Sequence, residues 1–234
     1  MRKFIAAAAA TLVMACASAG FAAPIVMDGS TTVLPFAQAA AEQYMKANKT
    51  VKFSVSGTGT GNGFKSLADG SAQIANASRF IKDKEIDTCM SKKVYPVPFA
   101  VALDCIIPVV HPSNQVKSLT KAQLKDIFTG KVTDWKEVGG TSGAIVVIGR
   151  DTSSGTYGTW QEMIMDKGEK GRVTPKAQVT ASSGAMMTAV ANNKNAIGYE
   201  GMGYVTKAVK GVQVEGISGT ASTARSGKYP LSRY

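Results

Sequence analysis

The sequence predicts an α/β fold built from strand–loop–helix units, arranged as one large or two small domains. Three observations carry this reading. Short apolar, strand-like runs alternate with helix-period segments along the chain after residue 23. Three of the strand-to-helix junctions are loops of Ser, Thr and Gly. The 234 residues, 44% apolar and low in aromatics, suffice for a buried core.

The junctions are the informative part. Pro24-Ile25-Val26-Met27 reads as a strand, followed by Asp28-Gly29-Ser30-Thr31-Thr32 and a helix over about Leu34–Ala47, with Pro35 tolerated in its first turn. Val51–Val55 alternates as a second strand and leads into Ser56-Gly57-Thr58-Gly59-Thr60-Gly61-Asn62-Gly63, with a helix at Phe64–Ala68 ended by Gly70. The third unit is the apolar run Ala144–Ile148, the loop Gly149-Arg150-Asp151-Thr152-Ser153-Ser154-Gly155-Thr156-Tyr157, and a helix carrying Trp160, Met163 and Ile164. The first turn of a helix has backbone N–H groups without intrahelical partners and the positive end of the dipole. Hydroxyls at such entrances add donors, and Arg150 adds a planar fork suited to two oxygens of one anion. Open sheets bind ligands beyond the carboxyl ends of their strands, so the three loops are expected to converge on one small oxyanion.

The remaining elements follow in order. Ala72–Ala75 and the long apolar run Tyr95–Pro108 read as strands, and Pro108 and Pro112 bracket an expected connection between domains. Ser118–Thr129 has helical spacing, a capping-box pattern at Thr120 and Gln123, and Gly130 as its stop. Trp135–Val138 reads as a turn capped by Asp134. Ser182–Asn192 is a helix with Met186, Met187 and Val190 on its core face, and Ala196–Tyr199 and Val212–Ile217 read as strands.

The N-terminus is a targeting segment. Arg2 and Lys3 precede the apolar run Phe4–Ala15, too short to span a bilayer as a mature helix. Cleavage near Ala22 or Ala23 would release the protein; alternatively, Val13-Met14-Ala15-Cys16 offers a lipobox whose Cys16 would carry the anchor. Export leaves Cys89 and Cys105 able to form a disulfide closing a loop of about 15 residues, worth roughly 3 kcal/mol, or to stay as two small buried thiols. A metal site is not expected, because the single histidine, His111, has no Cys or His at ligand spacing. Without Arg2 and Lys3 the chain has 25 basic and 16 acidic residues, a charge of about +9 that favours anion capture. The basic residues are scattered and do not interleave with aromatics, which argues against nucleic acid. A serine hydrolase built on Ser153 or Ser154 would need a base that the chain does not place nearby.

The exported leader, Asp28-Gly-Ser-Thr-Thr32, the Gly/Thr loop at 57–63, Ala77-Ser78-Arg79, the IFTGKVTDWKEVGG segment, and Arg150-x-x-x-Ser154-Gly155-Thr156 occur in the order of the periplasmic phosphate-binding proteins, which the whole mature chain resembles. The resemblance implies a type II periplasmic-binding-protein fold, with two α/β domains joined by a hinge and the ligand cleft between them. It implies a monomer without cofactor that binds inorganic phosphate in the periplasm and delivers it to the membrane permease subunits of an ABC importer. After the signal peptide at 1–23, residues 24–105 with 208–234 would form the first domain and 106–207 the second. The phosphate ligands it implies are Ser30, Thr31, Thr32, Thr60, Arg79, Arg150, Ser154, Gly155 and Thr156, with Asp151 either orienting an arginine or capping the helix. Many relatives have aspartate, a proton acceptor, where this chain has Arg79. A guanidinium only donates, so selectivity against sulfate would be reduced; the alternative is a binding protein or sensor for another tetrahedral oxyanion, sulfate or arsenate. The GKYPLSRY segment resembles a point from which family members continue back to the first domain; an extended chain is expected to melt at a higher temperature.

Overall fold

The computed structural model describes residues 23–165 and 171–233; the leader, with its cleavage and lipidation alternatives, lies outside them. Apolar β1 (Ile25–Gly29) is the middle strand of a parallel three-stranded sheet, flanked by β2 (Phe53–Val55) and β3 (Ile74–Asn76). The crossovers are α1 (Leu34–Ala47), opened by Pro35 in its first turn, and α2 (Thr60–Ala68). Helix α2 starts at Thr60 rather than Phe64, so the Gly/Thr loop is already helical where its hydroxyl stands. Helix α3 (Asp83–Ser91) completes this first lobe.

The second lobe rests on a mixed sheet in the order β11-β4-β8-β6-β7, with β9 also on β4. Strand β4 (Asp104–Val110) runs antiparallel to β8 (Ala196–Gly201), β9 (Lys210–Gly211) and β11 (Ser232–Arg233), whereas β6 (Val146–Arg150) is parallel to β7 (Gln178–Thr180) and β8. A small parallel pair, β5 (Ser118–Leu119) with β10 (Gln213–Val214), stands beside it. The helices are α4 (Lys121–Thr129), α5 (Gly155–Met163), α6 (Ser183–Ala191) and the short α7 (Ala221–Arg225). The start of α4 follows its sequence: Gln123 N donates to Thr120 Oγ1 at 3.1 Å, and Thr120 N to Gln123 Oε1 at 2.9 Å. Gly130 ends it at φ 80°, a left-handed stop that costs glycine nothing. Leu124, Ile127 and Phe128 of α4 are fully buried, and Phe128 joins Trp160 and Tyr199 at the centre of the core. Trp160 and Tyr199 stack with 4.3 Å between centroids and 4° between planes.

Four expectations are corrected. Of the run Tyr95–Pro108, only Asp104 onward joins a sheet; Tyr95, Val97, Phe99, Val101 and Leu103 are exposed on the stretch linking the lobes. Pro108 lies within β4, opposite Tyr199, and its carbonyl accepts from Val212 N, so the passage between lobes comes earlier. Residues 208–233 do not return to the three-stranded sheet: Val209, Val212, Val214, Ala224, Tyr229 and Leu231 are part of the large second core. Cys89 and Cys105 are free thiols, because α3 buries one in the first lobe and β4 the other in the second. Burial and the charge of Asp104 push the Cys105 thiol up to about 11.

Candidate functional site

The carboxyl ends of β1 and β6 point at the seam between the lobes, and the loops after them carry the hydroxyls. On the first lobe, Ser30 and Thr31 follow β1, Thr60 opens α2, and Ser78 follows β3; all four are buried. On the second lobe, Arg150 ends β6, Ser154 and Thr156 open α5, and Ser183 opens α6; these too are buried. Ser154 is the N-cap of α5, its Oγ accepting from Tyr157 N at 3.2 Å, and Ser182 caps α6 by accepting from Ala185 N.

Hydrogen bonds knit the two sets together. Thr31 Oγ1 lies 3.0 Å from Ser183 Oγ, and Thr32 Oγ1 lies 2.8 Å from Thr156 Oγ1. Arg150 Nη2 donates to Thr31 Oγ1 at 3.0 Å and Nη1 to Ser183 Oγ at 3.2 Å. Ser30 Oγ donates to Ser78 Oγ at 2.9 Å, and Thr60 Oγ1 stands 3.4 Å from the same atom. Backbone contacts close the seam further: Gly61 N donates to Ser153 O at 2.9 Å, and Tyr204 Oη to Thr31 O at 2.7 Å. Gly155 sits where a Cβ would come within 2.4 Å of Thr60 Oγ1 and 2.5 Å of Ser78 Oγ, so only glycine allows the third loop this close to the second. The structure thus gathers Ser30, Thr31, Thr32, Thr60, Arg150, Ser154, Gly155 and Thr156 in one buried region.

Arg79 is elsewhere engaged. Its Nη1 and Nη2 form a bidentate pair with Glu85 at 2.8 and 2.7 Å, Nη1 also donates to Phe80 O, and the guanidinium lies 5.4 Å over the Phe64 ring. Burial opposes ionisation of Glu85, but the hydrogen bonds and charge of Arg79 and the N–H of Lys82 outweigh it and hold the carboxyl below the usual range. The local sequence explains this: Glu85 is the third residue of α3, so the same carboxylate closes a capping box and captures the arginine. Arg79 is therefore a strut between β3 and α3, with no hydrogen bond to the hydroxyl cluster. Asp151 takes neither of its two expected roles: it accepts from Ser153 N at 2.8 Å within its own loop, before the helix that Ser154 caps. Asp28 lies behind the first loop and accepts from Ser56, Thr58 and Ser66. Burial alone would raise its pKa; those three hydroxyls more than offset it and hold the carboxyl below its ordinary value.

Two acidic partners were not read from the sequence. Glu200, at the end of β8, is completely buried and pairs with Arg150 Nη1. Desolvation pushes its pKa above the usual carboxylate range despite Arg150 and Arg233. Asp104, at the start of β4, pairs with Arg233 at 2.8 Å. Arg150 Nε is buried with no hydrogen-bond acceptor among the described residues. Ser183 had a readable signal, since Val179-Thr180-Ala181-Ser182-Ser183 repeats the strand–hydroxyl–helix pattern a fourth time. Glu200 and Asp104 had none, because each acts through partners 50 and 129 residues away.

Two α/β lobes closed over a buried seam of donors define a bilobal binding protein, and the chain belongs to the PBP superfamily, whose domain model matches residues 10–234. A Clostridium perfringens substrate-binding protein solved with bound phosphate superposes with a TM-score of 0.83, at 35% identity over 90% of this chain and 84% of that one. The phosphate-binding protein PstS of Staphylococcus saprophyticus is 36% identical over 88% of this chain and 66% of its own length. Protein SphX of Synechococcus elongatus is 35% identical over 86% of this chain and 60% of that protein. The chain thus spans about three fifths to two thirds of these two relatives. Among the described residues, no helix is long and apolar enough to cross a membrane.

Proposed function

We propose that the chain captures inorganic phosphate between its two lobes outside the cytoplasm and hands it to an ABC importer, binding its ligand without turning it over. The observation that carries this is the meeting of buried hydroxyls from both lobes around Arg150, whose Nε has no protein acceptor. A tetrahedral oxyanion offers several acceptor oxygens, and each charge-assisted hydrogen bond nets about 1.5–3 kcal/mol. Six or more such bonds, less the cost of ordering and desolvation, reach the roughly −8 kcal/mol of a micromolar complex. The ligands in this reading are Ser30, Thr31, Thr32, Thr60, Arg150, Ser154, Gly155 and Thr156, joined by Ser78 and Ser183. Catalysis is disfavoured by where the nucleophile candidates point. Ser154 caps its helix, Ser153 is held by Asp151, and His111 Nδ1 lies 2.7 Å from Ser113 Oγ. The names of the relatives support phosphate and an importer; the lipid anchor at Cys16 stays an alternative to soluble release.

A cluster of hydroxyl and guanidinium groups, all able to donate, favours a second reading, in which sulfate or arsenate binds as well. Calorimetric titration of the exported form with phosphate, sulfate and arsenate, at pH values on either side of the second ionisation of phosphate, decides between them. Phosphate bound more tightly than sulfate is the expected result. Equal binding of all three establishes a general oxyanion carrier, and no heat with any ends the proposal.

A further inference from the structure

Arg150 is not the site's only guanidinium, and the second is built the same way. Arg150 is carried by β6, paired to the buried Glu200, and turned onto the hydroxyls of Thr31 and Ser183. Arg233 is carried by β11 and paired to Asp104, Nε and Nη2 both donating to Oδ2 at 3.1 and 2.8 Å. Its side chain is 4% exposed. Its Nη1 donates to Thr156 Oγ1 at 3.1 Å and, across the seam, to Ser78 O at 3.2 Å.

The two arginines are joined by hydroxyls alone. From Arg233 the path runs to Thr156 Oγ1, then 2.8 Å to Thr32 Oγ1, 3.4 Å to Ser183 Oγ, and 3.2 Å to Arg150 Nη1. A small anion received by Thr32 and Thr156 therefore lies between two guanidinium groups. Glycine at 201 keeps this corner clear: a Cβ there would approach Thr32 Cγ2 to 2.7 Å and Asp104 Oδ2 to 2.6 Å. That Arg233 is paired to a carboxylate does not exclude it as a ligand, since Arg150 is paired in the same manner. A guanidinium has five N–H donors and can hold a carboxylate with two while presenting others.

We propose that Arg233, oriented by Asp104, is a second anion-binding arginine of this site, and that it supplies the positive charge expected of Arg79. Because its donors reach Thr156 on one lobe and Ser78 on the other, the same side chain fastens the lobes over the guest. Each arginine is oriented by one carboxylate, Arg150 by Glu200 and Arg233 by Asp104.

The inference rests on the oxyanion-binding reading above, and its test separates the two. Wild type, Arg233→Gln, Arg233→Lys and Arg79→Gln are titrated with inorganic phosphate by calorimetry, with thermal unfolding recorded with and without phosphate. Arg233→Gln is expected to weaken binding at least tenfold and to lose most of the phosphate-induced rise in Tm. Arg233→Lys, which keeps the charge and loses the fork, is expected to fall in between. Arg79→Gln is expected to lower Tm while leaving Kd within threefold. Phosphate binding by Arg233→Gln within threefold of wild type overturns the inference and leaves the functional reading standing. Should Arg233→Gln not fold, wild-type affinity in Arg233→Lys overturns it equally. Should wild type bind sulfate or arsenate but not phosphate, the same variants titrated with that anion decide the role of Arg233 while the phosphate reading falls. Binding of none of the three overturns both.

Discussion

The two lobes contribute loops of the same kind to one seam, yet they are held together differently. The second lobe has a continuous core that buries Trp135, Trp160, Tyr199, Tyr229 and Phe128. In the first lobe the buried apolar residues are four alanines, Phe64 and Cys89. All the large exposed apolar side chains among the described residues belong to it or to the stretch leaving it, except Val179. The first lobe relies instead on polar anchoring: Asp28 gathers three hydroxyls, and Glu85 ties Arg79 to the start of α3. Its loops are completed by contacts with the more densely packed second lobe. The second lobe is the platform and the first the lightly packed jaw.

That contrast can be broken at the platform first. Trp160→Ala removes a fully buried ring stacked on Tyr199 and is expected to cost about 3–5 kcal/mol, measured by denaturant unfolding. A loss as small as a surface change would mean that the second core does not dominate stability. Arg150→Ala comes next. It leaves Glu200 buried without its cation, for a stability cost of about 3 kcal/mol or more, and weakens phosphate binding by about 2 kcal/mol or more in calorimetry. Unchanged affinity would remove Arg150 from the site.

In the jaw, Asp28→Ala should cost about 2 kcal/mol, since three hydroxyls lose their acceptor. The pH dependence has a definite sign. The folded-state pKa of Asp28 is below its ordinary value of 3.8, so its stabilisation is complete above that value and is lost as pH falls through the lower, folded one. The acid limb of a Tm-against-pH curve should be shallower in Asp28→Asn; an identical limb would show that this carboxylate carries none of it. Hydrogen exchange sharpens the comparison, with amides of β1–β3 expected to exchange faster than those of β4, β6 and β8. The smallest effect is expected at Phe99→Ser, on the exposed stretch: within about 0.5 kcal/mol in stability by denaturant unfolding.

Much of this was legible locally. Helix α1 has the bounds its sequence implied, the box at Thr120/Gln123 formed as expected, and Asp134 caps its turn, because capping depends on residues two or three apart. The hydroxyl loops were legible for the same reason, each being a strand end followed by a helix start. What failed depended on distance. The run Tyr95–Pro108 has strand composition throughout, but composition does not supply a neighbouring strand, and only its last part finds one in β8. Arg79 was read from its place in a motif, whereas Glu85 six residues on decides where it points. Arg233 carries no local sign of a site, since its relevance comes from Thr156, 77 residues earlier, and Ser78, 155 residues earlier.

The bare α-carbon of Gly155 has a consequence for what the clamp can admit. Loops from both lobes meet there too closely for even one added methyl group, so under the proposed reading the guest would have no slack. An ester bearing an organic tail, or a chain of two linked phosphorus centres, would prop the jaws open and leave the polar seam unmade. Bulk would then screen candidates as strictly as charge does, and sugar phosphates should fail to compete for entry even though they present the same head.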